Sequence, residues 1–181
     1  VMIVADGMIC QMMEPVVLPE MKEYKVDLEK KPWAANGHGF SKKAGRTIIN
    51  SMYLETEDLS RHNENLQATY REIEKNEVRY EAYNLEGAEI VVTAFGTVAR
   101  IAKSAIDELK EEGINIGMLR PITLWPFPKK AISQAADQVK CFVSVELSMG
   151  QMVEDIQLAS GCRRPVSLCN RVGGMIPSPD P

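Results

Sequence analysis

The chain has 181 residues, 45% of them hydrophobic and 25% charged, with a formal net charge of −4. That leaves room for one domain with attachments or two small ones, with enough apolar content for a real core, and it lacks the basic face of a nucleic-acid binder. No apolar run approaches the roughly 18 residues that cross a bilayer, and the opening VMIVADGMICQMM has neither a basic leader nor a small-residue cleavage site, so a cytoplasmic protein with no nucleic-acid or membrane partner is expected.

Val1–Ala5 reads as a strand buried on both faces. Such a strand cannot form a sheet alone, so the chain is expected to be a fragment cut within a domain. The turn Asp6-Gly7 and a short Met-rich helix ended by Pro15 follow. Residues 20–57 show no sustained periodicity and carry Pro19, Pro32, Gly37, Gly39 and Gly45, with solvated lysines at 22, 25, 30, 31, 42 and 43. A connection that long is functional, wrapped over a partner, or partly disordered. Residues 58–80 read as a helix, with Leu59, Leu66, Tyr70, Ile73 and Tyr80 as a narrow apolar stripe. A helix so polar must lie across something to be stable.

From residue 88 the pattern sharpens. Ile90–Phe95 is a buried strand, and Gly96-Thr97 turns it into a helix with Thr97 as N-cap. Val98, Ile101, Ala102, Ala105, Ile106 and Leu109 form the stripe of a helix laid on a sheet, stopped by Gly113. A strand at 114–119, the segment RPITLWPFP at 120–128, a helix at 129–139 and a strand at 141–145 come next. A helix at 150–160, with Met149, Met152, Val153 and Ile156 inward, and a strand at 166–169 complete the series. Alternating strands and helices specify an α/β fold: a three-layer, mostly parallel sheet with helices on both faces.

The first strand-to-helix turn has only Gly96 of the three glycines a dinucleotide fingerprint needs. Gly96 and Thr97 remain a weak anion position, and Arg120, at a strand's carboxyl end, is another. Asp6-Gly7 and Asn36 stand at the interval of the thiamine-diphosphate GDG…N motif, but Ala5 replaces the first glycine and the match reads as coincidence. His38 and His62 have no partner at ligand spacing, and no metal site or catalytic triad is supported. Cys10, Cys141, Cys162 and Cys169 form no CxxC pair; reduced, mostly buried thiols are expected, without an iron–sulfur cluster of the usual spacing. In RPITLWPFP three prolines stiffen the crossing to the next helix. Trp125 and Phe127 there read as an interface anchor or, equally, as a lid over the domain's own core.

Taken together, DGMICQMMEPV at 6–16, NEVRYE at 76–81, IVVTAFGTVARI at 90–101, RPITLWPFP at 120–128, VELSMGQMVEDI at 145–156 and RVGG at 171–174 resemble the α subunit of 2-oxoacid:ferredoxin oxidoreductases, above all the branched-chain, 2-ketoisovalerate type. The resemblance implies that residues 1–19 are the end of a pyrimidine-binding domain, that residues 20–87 are a linker, and that residues 88–181 are a transketolase C-terminal-like domain. It also implies oxidative decarboxylation of a 2-oxoacid to an acyl-CoA, with thiamine diphosphate, Mg²⁺ and iron–sulfur clusters in the whole complex. Its partners would be a thiamine-diphosphate-binding β subunit, a γ subunit, a ferredoxin-like subunit, ferredoxin and CoA. No catalytic residue or bound cofactor is carried over to this chain, which is expected to be inactive alone. The rival reading is a free-standing binding module for CoA or another anionic nucleotide, built around Gly96, Arg120 and Gly150.

Overall fold

The computed structural model describes residues 1–13, 15–23, 31, 34–35 and 49–177. Asn36, His38, Pro32, Gly37, Gly39, Gly45 and the lysines at 25, 30, 42 and 43 lie outside the described residues. The chain divides into two units, Val1–Met13 with Tyr70–Pro181, and Glu14–Thr69.

The first unit holds a five-stranded sheet: β1 (Tyr80–Tyr83), β2 (Ile90–Thr93), β3 (Ile116–Pro121), β4 (Cys141–Glu146) and β5 (Val166–Asn170), in the order β1-β3-β2-β4-β5. β2 pairs in parallel with β3 and with β4, and β4 in parallel with β5. β1 runs antiparallel to β3, with Tyr80 opposite Pro121 and Tyr83 opposite Met118. Pro121 donates no ladder hydrogen bond, which suits the end of a strand. The helices are α2 (Thr97–Glu111), α3 (Lys129–Gln138) and α4 (Met152–Ala159), preceded in the chain by α1 (Thr56–Asn76).

The predicted α/β class is what forms. One core packs Val91, Leu119 and Phe142 of the sheet against Ile132, Ala136, Met152 and Ile156 of α3 and α4. A smaller one sets Val98 and Ala99 of α2 beside Ala94, with Val92 and Val145 against it. Helices therefore cover both faces, and the stripe read for α2 is the packed one. Truncating Ile132, which is fully buried, removes contacts typically worth ~2–5 kcal/mol.

Four expectations need correction. Val1–Val4 form no strand and are exposed; among the described residues no strand lies beside them, and both sheet edges are β1 and β5. The helix expected over residues 58–80 stops at Asn76, and Tyr80 starts β1 instead. Tyr80 matched the helical spacing, but Tyr80–Tyr83 is claimed by cross-strand pairing with β3, where tertiary context overrides periodicity. The thiols are not mostly buried: Cys10, Cys162 and Cys169 are exposed and only Cys141 is partly covered. Cys169 lies on an edge strand with three exposed residues in its middle. Met149, expected inward, is exposed because α4 begins three residues later.

In the second unit, as in all of α1, no described residue is buried. Tyr53 stacks on His62 with ring centroids 4.5 Å apart, and its hydroxyl lies 3.2 Å from Nδ1. His62 thus has an aromatic neighbour that ligand spacing did not reveal.

Thr93, at the end of β2 opposite Ser144, is fully buried, and its Oγ1 is the one buried side-chain polar atom without a hydrogen-bond partner among the described residues. An unpaired buried hydroxyl is destabilising, and an apolar group of the same shape removes the penalty. Thr93→Val is therefore expected to stabilise the fold by about 1 kcal/mol, read as a higher urea midpoint at unchanged slope; a midpoint that falls would contradict the assignment.

Candidate functional site

The chain from β2 passes through α2 to β3 on one side, and β3 then crosses back through α3 to β4 on the other. That reversal makes the carboxyl ends of β2 and β4 the switch point, where open α/β sheets bind ligands. Two helix N-termini stand there, those of α2 and α4, each with unpaired amides and a partial positive charge. The chain fills both with carboxylates of its own.

At α2 the N-cap is Gly96 rather than Thr97. Its φ of 64° is a left-handed conformation suited to glycine, and it offers no side chain to cap the helix. Asp6 does so from a distance. Its Oδ2 accepts the Thr97 amide at 3.2 Å, and Oδ1 accepts the Thr97 hydroxyl at 2.9 Å. The same Oδ1 accepts the amides of Met8 at 3.0 Å and Ile9 at 2.8 Å. A Cβ on Gly96 would lie 3.0 Å from Asp6 Oδ2, so glycine also gives the room for this approach. Burial pushes the Asp6 pKa up, but the bonds from Ile9, Thr97 and Met8 outweigh it and hold the group below the ordinary carboxylate value.

At α4 the capping group is Glu146, the last residue of β4 and 3% exposed. Oε2 accepts the amides of Gln151 at 2.9 Å and Met152 at 3.1 Å, and Oε1 accepts that of Val153 at 2.9 Å. The hydroxyls of Ser144 and Ser148 complete the shell at 2.7 and 2.8 Å. Gly150, at φ 104°, turns the loop so that these amides converge. Burial again raises the pKa, and again the donors, led by the Gln151 amide and the Ser144 hydroxyl, bring it below the usual glutamate value. Asn170 on β5 holds the loop from outside through the Ser148 carbonyl at 2.7 Å.

The third position, Arg120, is answered in the same way. Its Nη1 donates to Glu81 Oε2 at 2.9 Å from the facing residue of β1, and Lys103 of α2 reaches Glu81 Oε1 at 3.4 Å. Lys103 also lies 4.3 Å from the centre of the Tyr83 ring, whose hydroxyl donates to Asp107. The Arg120 guanidinium beside Glu81, with Lys103, holds that carboxyl below its ordinary range. Gly96–Thr97, Arg120 and the helix after Gly150, named from sequence as anion positions, are thus all engaged by internal carboxylates.

The aromatic pair of RPITLWPFP is split. Phe127 is 7% exposed and belongs to the main core, so the interface expectation does not fit it. Trp125 is 55% exposed and meets the Tyr70 ring edge-on at 5.5 Å. Thr123 pins the loop, accepting the Arg79 amide at 3.0 Å and donating to the Pro126 carbonyl at 2.8 Å. Ile122 and Leu124 remain exposed beside it. A groove of about 600 Å³ adjoins this loop, lined by Lys75, Tyr80, Lys129 and Lys130 among others; it lies beside β1 and away from the switch point.

Among the described residues the side chains do not fit a metal or cluster. With both oxygens engaged at α2, Asp6 is no metal ligand in this arrangement, and Asn36 lies outside the described residues. Among the described residues no three His, Cys, Asp or Glu side chains are grouped to hold a metal ion. No described helix is long and apolar enough to cross a membrane.

Residues 88–181 match the family model described as pyruvate:ferredoxin oxidoreductase core domain II. Ketoisovalerate oxidoreductase subunit VorB of Methanothermobacter marburgensis is 46% identical over 175 residues, which are 96% of this chain and 48% of that protein. The 2-oxoglutarate synthase subunit KorA of Archaeoglobus fulgidus is 26% identical across 90% of this chain and 46% of its own length. The chain therefore spans about half the length of these curated relatives. A solved 2-oxoglutarate:ferredoxin oxidoreductase from Magnetococcus marinus, with 2-oxoglutarate, coenzyme A and succinyl-CoA bound, superposes with a TM-score of 0.51 at 20% identity. It covers 75% of this chain and 23% of that one, and the likeness is one of fold.

Because Glu146 satisfies several buried donors at once, Glu146→Ala is expected to cost about 3 kcal/mol, and Glu146→Gln less. The folded pKa lies below the unfolded one, so the contribution is complete above the unfolded glutamate value and is lost as pH falls through the lower folded value. Urea unfolding between pH 7 and pH 3 should show that acid limb flattened in Glu146→Gln; an unchanged slope with pH would remove Glu146 from the account.

Proposed function

Since the chain belongs to the pyruvate:ferredoxin oxidoreductase core domain II family, we propose that it is the C-terminal part of the α subunit of a thiamine-diphosphate-dependent 2-oxoacid:ferredoxin oxidoreductase. The substrate would be a branched-chain 2-oxoacid, converted to its acyl-CoA with reduction of ferredoxin in the cytoplasm. The observation that carries the reading is the 46% identity to VorB, sustained over 96% of the chain rather than confined to the domain. The partners are a thiamine-diphosphate-binding β subunit, a γ subunit and a ferredoxin-like subunit, which hold the cofactor, its Mg²⁺ and the iron–sulfur clusters.

The carbanion chemistry belongs to thiamine diphosphate when it is bound in the complex. This chain's share is structural. Its switch-point donors are spent on Asp6 and Glu146, which supports a scaffold role over the free-standing nucleotide or CoA module. Residues 1–19, as the end of a pyrimidine-binding domain, and 88–181, as a transketolase C-terminal-like domain, are the divisions we adopt. Trp125, exposed on a loop pinned at Thr123, is the residue we assign to subunit contact.

Tagged chain captured from its native source should bring down polypeptides that reduce a viologen dye with 2-oxoisovalerate and CoA. A fraction inactive with 2-oxoisovalerate, 2-oxoglutarate and pyruvate alike would overturn the reading. Trp125→Ala is expected to lower recovery of the complex about tenfold or more, in the range of an interface hot spot, at unchanged unfolding midpoint; recovery at the wild-type level places the contact elsewhere. Calorimetric titration of thiamine diphosphate with Mg²⁺ into the chain alone should give no binding, and a micromolar isotherm would return a cofactor site to it.

A further inference from the structure

The groove beside RPITLWPFP has a lining of two characters. Pro126, Phe127 and Pro128 are buried and make its apolar part, while Lys75 in the last turn of α1 and Lys129 and Lys130 at the start of α3 are exposed. The charge is one-sided. Among the described residues Glu74 is the one carboxylate of the lining, and it lies 3.7 Å from Lys129. Lys75 and Lys130 pair with no carboxylate among the described residues. In a chain of net charge −4, these two ammonium groups reverse the sign locally and favour an anion. Lysine places a point charge on a flexible stem, without the fixed fork of arginine, so it meets carboxylates in more than one arrangement.

The groove is continuous with the contact already assigned to Trp125. That residue directly precedes Pro126 in the chain, and Ile122 and Leu124 of the same loop are exposed with it. Thr123 fixes the loop through the Arg79 amide and the Pro126 carbonyl, so the indole and the groove keep a set relation. An apolar anchor beside a charged border is the layout of a protein interface, apolar at its centre and polar at its rim. A small molecule could fill about 600 Å³ but would leave Trp125, Ile122 and Leu124 uncovered. A polypeptide segment covers both.

We propose that this surface docks an acidic segment of another subunit: an apolar side chain of the segment meets Trp125, and its Asp or Glu side chains enter the groove against Lys75 and Lys130. The proposal rests on the reading of the chain as one subunit of a complex, and it names the chemistry of the partner at the Trp125 contact. The two parts of the surface do different things. The indole supplies most of the affinity once it is desolvated, as interface hot spots do. Exposed ion pairs add little affinity; the lysines set the register of the segment, speed its encounter and make binding sensitive to salt.

The test uses tagged chain captured with its partners from the native source, assayed for viologen reduction and then treated with a water-soluble carbodiimide, which joins an amine to a carboxylate in direct contact. Peptide mass spectrometry is expected to find Lys75 or Lys130 joined to an Asp or Glu of a different, identified polypeptide. The Glu74–Lys129 pair, 3.7 Å apart, should join within the chain and shows that the reaction has run. Lys75→Glu combined with Lys130→Glu is expected to lower recovery of that polypeptide about tenfold at an unchanged unfolding midpoint, while Lys75→Arg with Lys130→Arg keeps it at the wild-type level. If Lys75 and Lys130 join only to carboxylates of their own polypeptide, or to none while Glu74–Lys129 forms, there is no acidic partner here. Wild-type recovery of the charge-reversed variant excludes it as well. An active fraction without these cross-links removes this proposal alone. Cross-links in a fraction inactive with 2-oxoisovalerate, 2-oxoglutarate and pyruvate uphold the surface and remove the enzyme reading.

Discussion

A parallel sheet brings the N-termini of its helices to one edge, and the amides gathered there need negative charge. In this chain that demand is met from within, most completely by Glu146. Five donors converge on one buried carboxylate, so the end of β4, the loop through Gly150 and the first turn of α4 are fixed as one object. Leu168 of β5 packs where a Cβ on Gly150 would stand, 2.9 Å from it, which seats the last strand against that object. The buried side of α4, Met152 and Ile156, follows from where its first turn is held. At the other edge, Glu81 does comparable service with weaker means, tying β1 to β3 through Arg120 and to α2 through Lys103. Those side chains are roughly 40% exposed, and such surface pairs add little stability; their use is to set the register of a short edge strand.

The parts of this fold that were legible in the sequence are those that repeat. The α2 stripe from Val98 to Leu109 and the apolar run after Ile90 state their partners by period, because every contact recurs at i+3, i+4 or i+2. The parts that were not legible depend on single residues far apart. Nothing near Glu146 marks it as a cap rather than a surface acid, except that a glutamate ends an apolar strand just before Ser148-Met149-Gly150, where a loop onto a helix begins. Asp6 acts on a residue 91 positions away, beyond any local pattern. Thr97 drew attention correctly but in the wrong role, as a donor to a cap rather than the cap itself. Tyr80 misled because one residue can satisfy a helical spacing by chance and still be claimed by a neighbouring strand.

RPITLWPFP shows the same division. Its prolines and aromatics announced a stiff crossing from β3 to α3, and the chain indeed passes there through a loop fixed at Thr123. Composition had no means of saying which ring goes inward. Phe127, wholly apolar and next to the start of α3, completes the core beside Ala131. Trp125 keeps a polar N–H and stays outside against Tyr70, the amphipathic behaviour that suits indole to contact surfaces. Ile122 and Leu124 of the same loop are exposed as well, so apolar area gathers around the Trp125 ring.

The reach from Asp6 to Thr97 also bears on the order in which the molecule folds. Loop closure becomes dearer only slowly with length, by about 0.6 kcal/mol for each doubling, so the distance along the chain is no great obstacle in itself. The difficulty is that the far end must already exist: the Thr97 amide points at a fixed place only once α2 is wound and packed on β2. The βαβ units close over much shorter spans and bury apolar surface as they do so, which places them early. The contact of Asp6 with Thr97 is therefore made late, and the closing of the βαβ units should be nearly blind to it.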